Sequence, residues 1–448
     1  MSAVSASSTA VGSISDPVRA LQHALYRSAK ADPGRRFHAL HDKVYRRDVM
    51  SRAWALVRAN NGAPGVDNIT LAEVEEYGVD RLLNELAEDL RNQQWRPLPA
   101  RRVFIPKPGS TEQRPLSIPA VRDRVVQAAV KIVLEPIFEA DFLPHSFGFR
   151  PKRSALDALQ VLIDQSWRGK RWVVETDIAN CFEAIPFEKL MQAVSERVCD
   201  SAVLRLLRVM LRAGVLQDGR VRRPVTGTPQ GGVASPLLAN IYLHRIDRAW
   251  DEREHGVLVR YADDAIVMCD SREQAEAALA RLTVLLADLG LEPKAAKTRI
   301  VHLVENGSGL DFLGFHHRLV RGRTPRSAHL TFLGRWPSRR AVQRARDRIR
   351  IITGRPRLLL PPGQIVRELN WFLRGWAGYF RFGNSALMLG QIRNYALQRL
   401  ALWLSKRGNR RRAWGWGMTK VLISPDHLGL VRLDGTVVPP RPFRAWRG

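Results

Sequence analysis

Gly256-Val257-Leu258-Val259-Arg260-Tyr261-Ala262-Asp263-Asp264-Ala265-Ile266-Val267-Met268 sets two short apolar runs on either side of two adjacent carboxylates. The runs read as strands and their junction as a hairpin tip that carries both acids. Like charges ~4 Å apart repel by roughly 4 kcal/mol at an effective dielectric of ~20, so such a tip calls for a cation. Asp-Asp pairs also occur in ordinary solvated turns, and the tetrapeptide alone leaves both readings open. A further carboxylate closes the buried-looking strand Trp172-Val173-Val174-Glu175-Thr176-Asp177, and a polar residue at a strand's carboxyl end is well placed to face a cleft. If Asp177 sits beside the hairpin tip, three carboxylates converge. Two divalent ions about 3.5–4 Å apart would then neutralise them and clamp the oxygens of an in-line phosphoryl transfer. Hard oxygen donors favour Mg²⁺, with Mn²⁺ as a substitute. That Asp177 instead caps the helix after it is the lesser reading the spacing also allows.

Composition narrows what such a site would act on. The 448 residues suffice for two or three domains, and 45% hydrophobic content supports a real core. A net charge of +28 implies salt-sensitive attraction to a polyanion, nucleic acid first. No run of about 18 apolar residues spans a bilayer, and Met1 to Ser15 lacks the pattern of a signal peptide, so a soluble intracellular protein without membrane partners is expected. Cys181, Cys199 and Cys269 are scattered and form no paired zinc spacing. Arginine outnumbers lysine about five to one, which draws attention to the few lysines.

Residues 1–16 read as a disordered leader and 17–98 as a helical extension, interrupted by the turn-rich Asn60-Asn61-Gly62-Ala63-Pro64-Gly65-Val66-Asp67. From 99 to 316 short strands alternate with helices, among them Val121 to Ala140, Leu237 to Leu243 and Ser271 to Leu289, an α+β or α/β pattern. Between Arg318 and Arg357 thirteen arginines face one acid, Asp347. Within that run Val342, Ala345, Ile349 and Ile352 keep a helical apolar stripe, so 317–358 reads as a basic linker and a basic amphipathic helix. Helices marked by Ile365, Leu369, Phe372 and Trp376, and by Ile392, Ala396 and Leu400, complete a three-helix domain through 406. Residues 407–448 are basic, aromatic and patternless, a possible DNA-binding tail.

Positive charge for a triphosphate is available on Phe104-Ile105-Pro106-Lys107-Pro108-Gly109 and Arg114-Pro115-Leu116-Ser117-Ile118-Pro119, read as a hairpin carrying Lys107 and Arg114. Two surface cations of a basic protein would look the same. Thr228-Pro229-Gln230-Gly231-Gly232 is a glycine loop that permits close approach to a ligand, and Gly290 to Thr298 contributes Lys294 and Lys297.

In order and spacing these segments resemble the reverse transcriptases encoded by bacterial group II introns. The resemblance covers roughly residues 60 to 405 and includes Pro64-Gly65-Val66-Asp67, Ile105-Pro106-Lys107-Pro108, Ser146-Phe147-Gly148-Phe149-Arg150-Pro151, Thr228-Pro229-Gln230-Gly231, Tyr261-Ala262-Asp263-Asp264, Lys297-Thr298 and Phe312-Leu313-Gly314. Leu373-Arg374-Gly375-Trp376-Ala377-Gly378-Tyr379 is similar to the maturase thumb, domain X. The resemblance implies an α+β right-hand polymerase, with fingers and palm over 99–316 and an all-α thumb. Asp177, Asp263 and Asp264 match its metal-binding aspartates, with the Ile178 carbonyl as a further ligand. Lys107 and Arg114 match the triphosphate clamp, Gln230 and Lys297 the nucleotide site, and Phe182 the bulky gate that favours dNTP over NTP. Template RNA would lie along the basic thumb, on Arg339, Arg340, Arg344, Arg348 and Arg374. The partners implied are an RNA template, preferably group II intron RNA, a DNA primer or target, and dNTPs. The setting would be the bacterial cytoplasm, at the nucleoid when DNA is bound. Many relatives add an endonuclease with paired cysteines, which this chain lacks, so it resembles the endonuclease-lacking members. Splicing and retrohoming are the implied tasks; a relative that has left its intron for DNA repair or defence, or a mainly RNA-binding splicing factor, are the alternatives.

Overall fold

The computed structural model describes residues 16–106, 113–222, 226–227, 231–322, 325, 328–407, 414–423, 427–433, 435 and 437–440. Its centre is the helix Val121–Glu139, whose valines, alanines and isoleucines are buried on nearly every side, as a helix apolar all round requires. The N-terminal helices Pro17–Ala31, Arg47–Asn60 and Val79–Arg91 pack around it. The first of these starts at Asp16, whose carboxylate accepts from the Val18 and Arg19 amides.

Ala100–Pro106 pairs antiparallel with Gln113–Ile118, opposing Ile105 to Arg114, and the short strands Val215–Gln217 and Arg220–Arg222 extend this sheet. The turn bearing Lys107 lies outside the described residues. A second, fully antiparallel sheet has the order Val257–Tyr261, Asp264–Cys269, Trp172–Asp177, Arg299–His302. Both of its faces are covered. Val174, Leu258 and Val267 enter the large core with the central helices, while Val173, Val259, Ile266 and Met268 pack with Leu159, Phe315 and Phe380 on the other side. Strands buried on both faces read as continuous apolar runs, which is how these stood out in the sequence.

A third sheet, Leu310–Phe312, Phe315–Arg321 and Thr331–Pro337, lies within and before the expected basic linker. Phe315, His317 and Leu319 are buried on one face, and the charged and polar residues around them, His316, Arg318 and Arg321, hid the two-residue period. Beyond it come Arg339–Ile352, Pro362–Phe380 and Ala386–Arg407. Their stripes, including Val342, Ala345, Ile349, Ile365, Leu369, Ile392 and Leu400, form one core. A fourth helix, Trp414–Ile423, packs on Ala386–Arg407 within the segment read as patternless. The α+β class with a helical C-terminal region is as expected. The expected helices appear as Val121–Glu139, Ser235–Ala249 and Arg272–Asp288, the last with Ser271 as its cap. Among the described residues no helix is long and apolar enough to cross a membrane.

Candidate active site

Antiparallel pairing brings the three acids together. Asp177, last residue of its strand, is register partner to Asp264, first residue of the next, and the Ile178 amide donates to the Asp263 carbonyl at 3.2 Å. Asp177 does not cap the following short helix, Cys181–Ala184, which begins at Asn180 with φ +45°. Its carboxylate instead accepts from Lys297 Nζ at 2.6 Å, and the same ammonium lies 3.9 Å from Asp264. Lys297 is held there by the turn Ala295–Lys297, pinned to the sheet by the Lys294 amide on the Asp177 carbonyl at 2.7 Å and by the Thr176–Thr298 hydroxyl pair at 2.8 Å.

The electrostatics follow from crowding. Burial, then Asp263 and Asp177, push Asp264 up to about 7. Asp263 is raised by burial and by Asp177, against a lowering pull from Arg114 and Lys297. Burial draws Lys297 down, but its hydrogen bond to Asp177 and the carboxylates around it raise it on balance. Among the described residues no group of three or more His, Cys, Asp or Glu side chains is gathered closely enough to cage an ion unaided. Lys297 supplies one positive charge beside them. The donor set is hard oxygen throughout, with an ammonium where a cation would be welcomed, a chemistry that suits a hard divalent ion.

Around this centre the other expected residues fall unevenly. Phe182 is half-buried in Cys181–Ala184 and packs against the main core. Its neighbour Glu183 accepts from Arg102 at 3.0 Å, tying the first sheet to the segment that carries the ring. Lys107 and Gln230, with Thr228 and Pro229, lie outside the described residues. Gly231 is described, with φ +109°, and a side chain there would strike the Ser117 carbonyl of the first sheet. Arg339, Arg340, Arg344, Arg348 and Arg374 are all exposed. Sequence reading passed over Arg260, Asp247 and Asn240, buried beneath the hairpin tip. One signal was present: an arginine inside an apolar strand must be paired.

A hairpin of paired aspartates beside a third at the end of a neighbouring strand, on an antiparallel sheet backed by helices, defines the palm of a nucleic-acid polymerase. Residues 105–317 match the family model of reverse transcriptase, RNA-dependent DNA polymerase, and residues 342–422 match that of the group II intron maturase-specific domain. Protein YkfC of Escherichia coli is 34% identical over 345 residues, covering 68% of this chain and 88% of that protein. The group II intron-encoded protein LtrA of Lactococcus lactis is 34% identical over 234 residues, 52% of this chain and 38% of its own length. A 91 kDa protein in the cob intron of Schizosaccharomyces pombe is 29% identical over 414 residues, 76% of this chain and 50% of that one. The chain thus spans half or less of the length of the last two. It belongs to the group II intron reverse transcriptase/maturase family, an RNA-directed DNA polymerase domain followed by a maturase domain. RNA and DNA are the partners such domains handle, and reverse transcriptases use divalent metal ions.

Proposed function

We propose that the chain extends a primer 3′-hydroxyl with dNTPs along an RNA template, and that its thumb grips group II intron RNA to promote splicing and retrohoming. The single observation that carries the first half is the convergence of Asp177 and Asp264 in register, with Asp263 beside them and Lys297 bridging two of the three. Asp177, Asp263, Asp264 and the Ile178 carbonyl would hold Mg²⁺, or Mn²⁺ in its place. Bound there, the ions lower the pKa of the primer hydroxyl and stabilise charge on the leaving pyrophosphate. Lys297, Lys107 and Arg114 offer cations to the triphosphate. Gln230 lines the nucleotide site, and the Phe182 ring excludes a 2′-hydroxyl. On this reading 99–316 form fingers and palm, 317–358 the approach to the thumb and its first helix, 359–406 domain X, and 407–448 a DNA-binding tail. Residues 17–98 assist in gripping RNA, and the work is done in the bacterial cytoplasm, at the nucleoid.

The maturase half is supported by the face of the thumb. Above the buried stripe of Arg339–Ile352 stand Arg339, Arg340, Arg344 and Arg348, and on Pro362–Phe380 the exposed Arg367, Trp371 and Arg374 follow at helical spacing. Trp371 is 83% exposed, far more than an apolar ring left to water would favour, and bases stack on such rings. Asp263→Asn tests both halves. Primer extension on RNA with Mg²⁺ should fall at least about a thousandfold while splicing of the cognate intron persists. No extension by the unaltered protein would refute the polymerase reading, and loss of splicing in the variant would refute separable roles.

A further inference from the structure

Arg260 sits in the apolar strand Val257–Tyr261, only 1% exposed. A guanidinium survives such burial when its charge is matched and its donors are used, and all five N–H groups are. Nε and Nη2 donate to the Asp247 carboxylate at 2.8 and 2.5 Å, and Nη2 also donates to Ser146 Oγ at 2.8 Å. Nη1 donates to Asn240 Oδ1 at 3.1 Å and to the Ala262 carbonyl at 3.0 Å. Asp247 is wholly buried on Ser235–Ala249, so the fork is braced from the helix behind the sheet.

The last of these acceptors explains the elaborate pairing. Ala262 has φ +58°, and of the two residues at the hairpin tip it is the first, as in a type II′ turn where glycine is the usual occupant. A side chain in that region costs about 1–2 kcal/mol, and such strain persists only where the surroundings over-determine it. They do so from two directions. Arg260 holds the Ala262 carbonyl; on the other side Gly148 lies so close that any Cβ there would strike the Ala262 amide nitrogen. Asn240 joins the two, accepting from Arg260 and donating through Nδ2 to the Gly148 carbonyl at 2.7 Å. The next two residues after Ala262 are Asp263 and Asp264.

We propose that Arg260, braced by Asp247, and Gly148 are the two jaws of a clamp that holds Ala262 in its left-handed conformation and so positions Asp263 and Asp264. They are positioning residues and touch no substrate. The kinetic consequences rest on the polymerase reading; the restraint on the turn does not.

The test uses the full chain with single-nucleotide incorporation, dNTP KM, template-primer Kd, thermal melting and amide exchange over residues 261–264. Arg260→Lys keeps a cation opposite Asp247 but replaces the planar fork with a point charge that cannot serve Asp247, Ser146, Asn240 and Ala262 together. It should lower kcat by about 10–100-fold, the range over which misplacement by ~1 Å acts, with KM and Kd unchanged within about twofold and faster exchange at the tip. Adding Ala262→Gly, which adopts the turn without strain, should recover much of the lost kcat. Gly148→Ala presses from the opposite side without touching a charge and should reproduce the kcat loss. Ser146→Ala, which removes one acceptor only, should do so to a smaller degree in a protein that folds. A folded Arg260→Lys or Gly148→Ala protein with full kcat overturns the clamp. So does a loss that Ala262→Gly leaves untouched, or a fully active Ser146→Ala protein should the other two fail to fold. If the unaltered protein does not extend primers, the polymerase reading fails while amide exchange still judges the clamp: unchanged exchange in the variants refutes it.

Discussion

Lys297 serves two carboxylates at once, 2.6 Å from Asp177 and 3.9 Å from Asp264, and cannot offset the charge of all three aspartates. That surplus adds to burial, the larger cause, in pushing Asp264 up to about 7. The consequence for stability has a definite sign. A carboxyl whose folded-state pKa lies above its unfolded value destabilises the fold as pH rises from about 4 to about 7, and the cost is constant beyond that. Asp264→Asn should therefore raise the melting temperature of the metal-free protein at pH 8 and lose that advantage toward pH 4–5, which calorimetry across pH would check. Phe182 makes a separate prediction: Phe182→Ala should raise incorporation of NTP relative to dNTP by at least about tenfold, read by single-nucleotide extension with each. Asp177, Asp263 and Asp264 were legible in sequence because carboxylates at the ends of apolar strands have few reasons to be there, and Lys297 stood out as one of few lysines. Arg260 was visible but its role was not, since its partner Asp247 lies on a separate helix and only folding brings the fork to the Ala262 carbonyl.

The palm strands and the caps at Ser271 and Ser338 follow local rules, an apolar run or a hydroxyl accepting from the third amide of the helix. Two elements escaped those rules. Phe315–Arg321 alternates buried and outward residues, but with arginine on the outer face it looks like charge rather than strand. Trp414–Ile423 carries two tryptophans and two glycines, poor helix composition, and its formation depends on contact with Ala386–Arg407. Gly417 shows why: a Cβ there would meet the Ala401 carbonyl and Ser405 Oγ, so the helices approach as closely as backbones allow. Gly417→Ala should destabilise the thumb by about 1–3 kcal/mol despite alanine's better helix propensity, measurable by denaturant unfolding. A stabilised variant would mean that this helix does not dock.

A charge of +28 spread over one molecule would disperse without a fold to gather it. The thumb concentrates Arg339, Arg340, Arg344 and Arg348 on one helix because Val342, Ala345 and Ile349 need the opposite side for the core. RNA affinity should fall steeply with salt. Each of these arginines that contacts a phosphate should, when changed to alanine, flatten the slope of log K against log salt by about 0.7–0.9; filter binding across a salt series would measure it, and an unchanged slope would remove that residue from the interface. Sequence alone decides the class of chemistry, since the order and spacing of its motifs, read together with acids at strand ends and net charge, are properties of the chain before it folds. Tertiary structure alone decides how the acids are held. Which carboxylate faces Lys297 depends on strand register, and the strained Ala262 turn depends on a buried fork and a glycine that meet only when helix, strand and loop have packed.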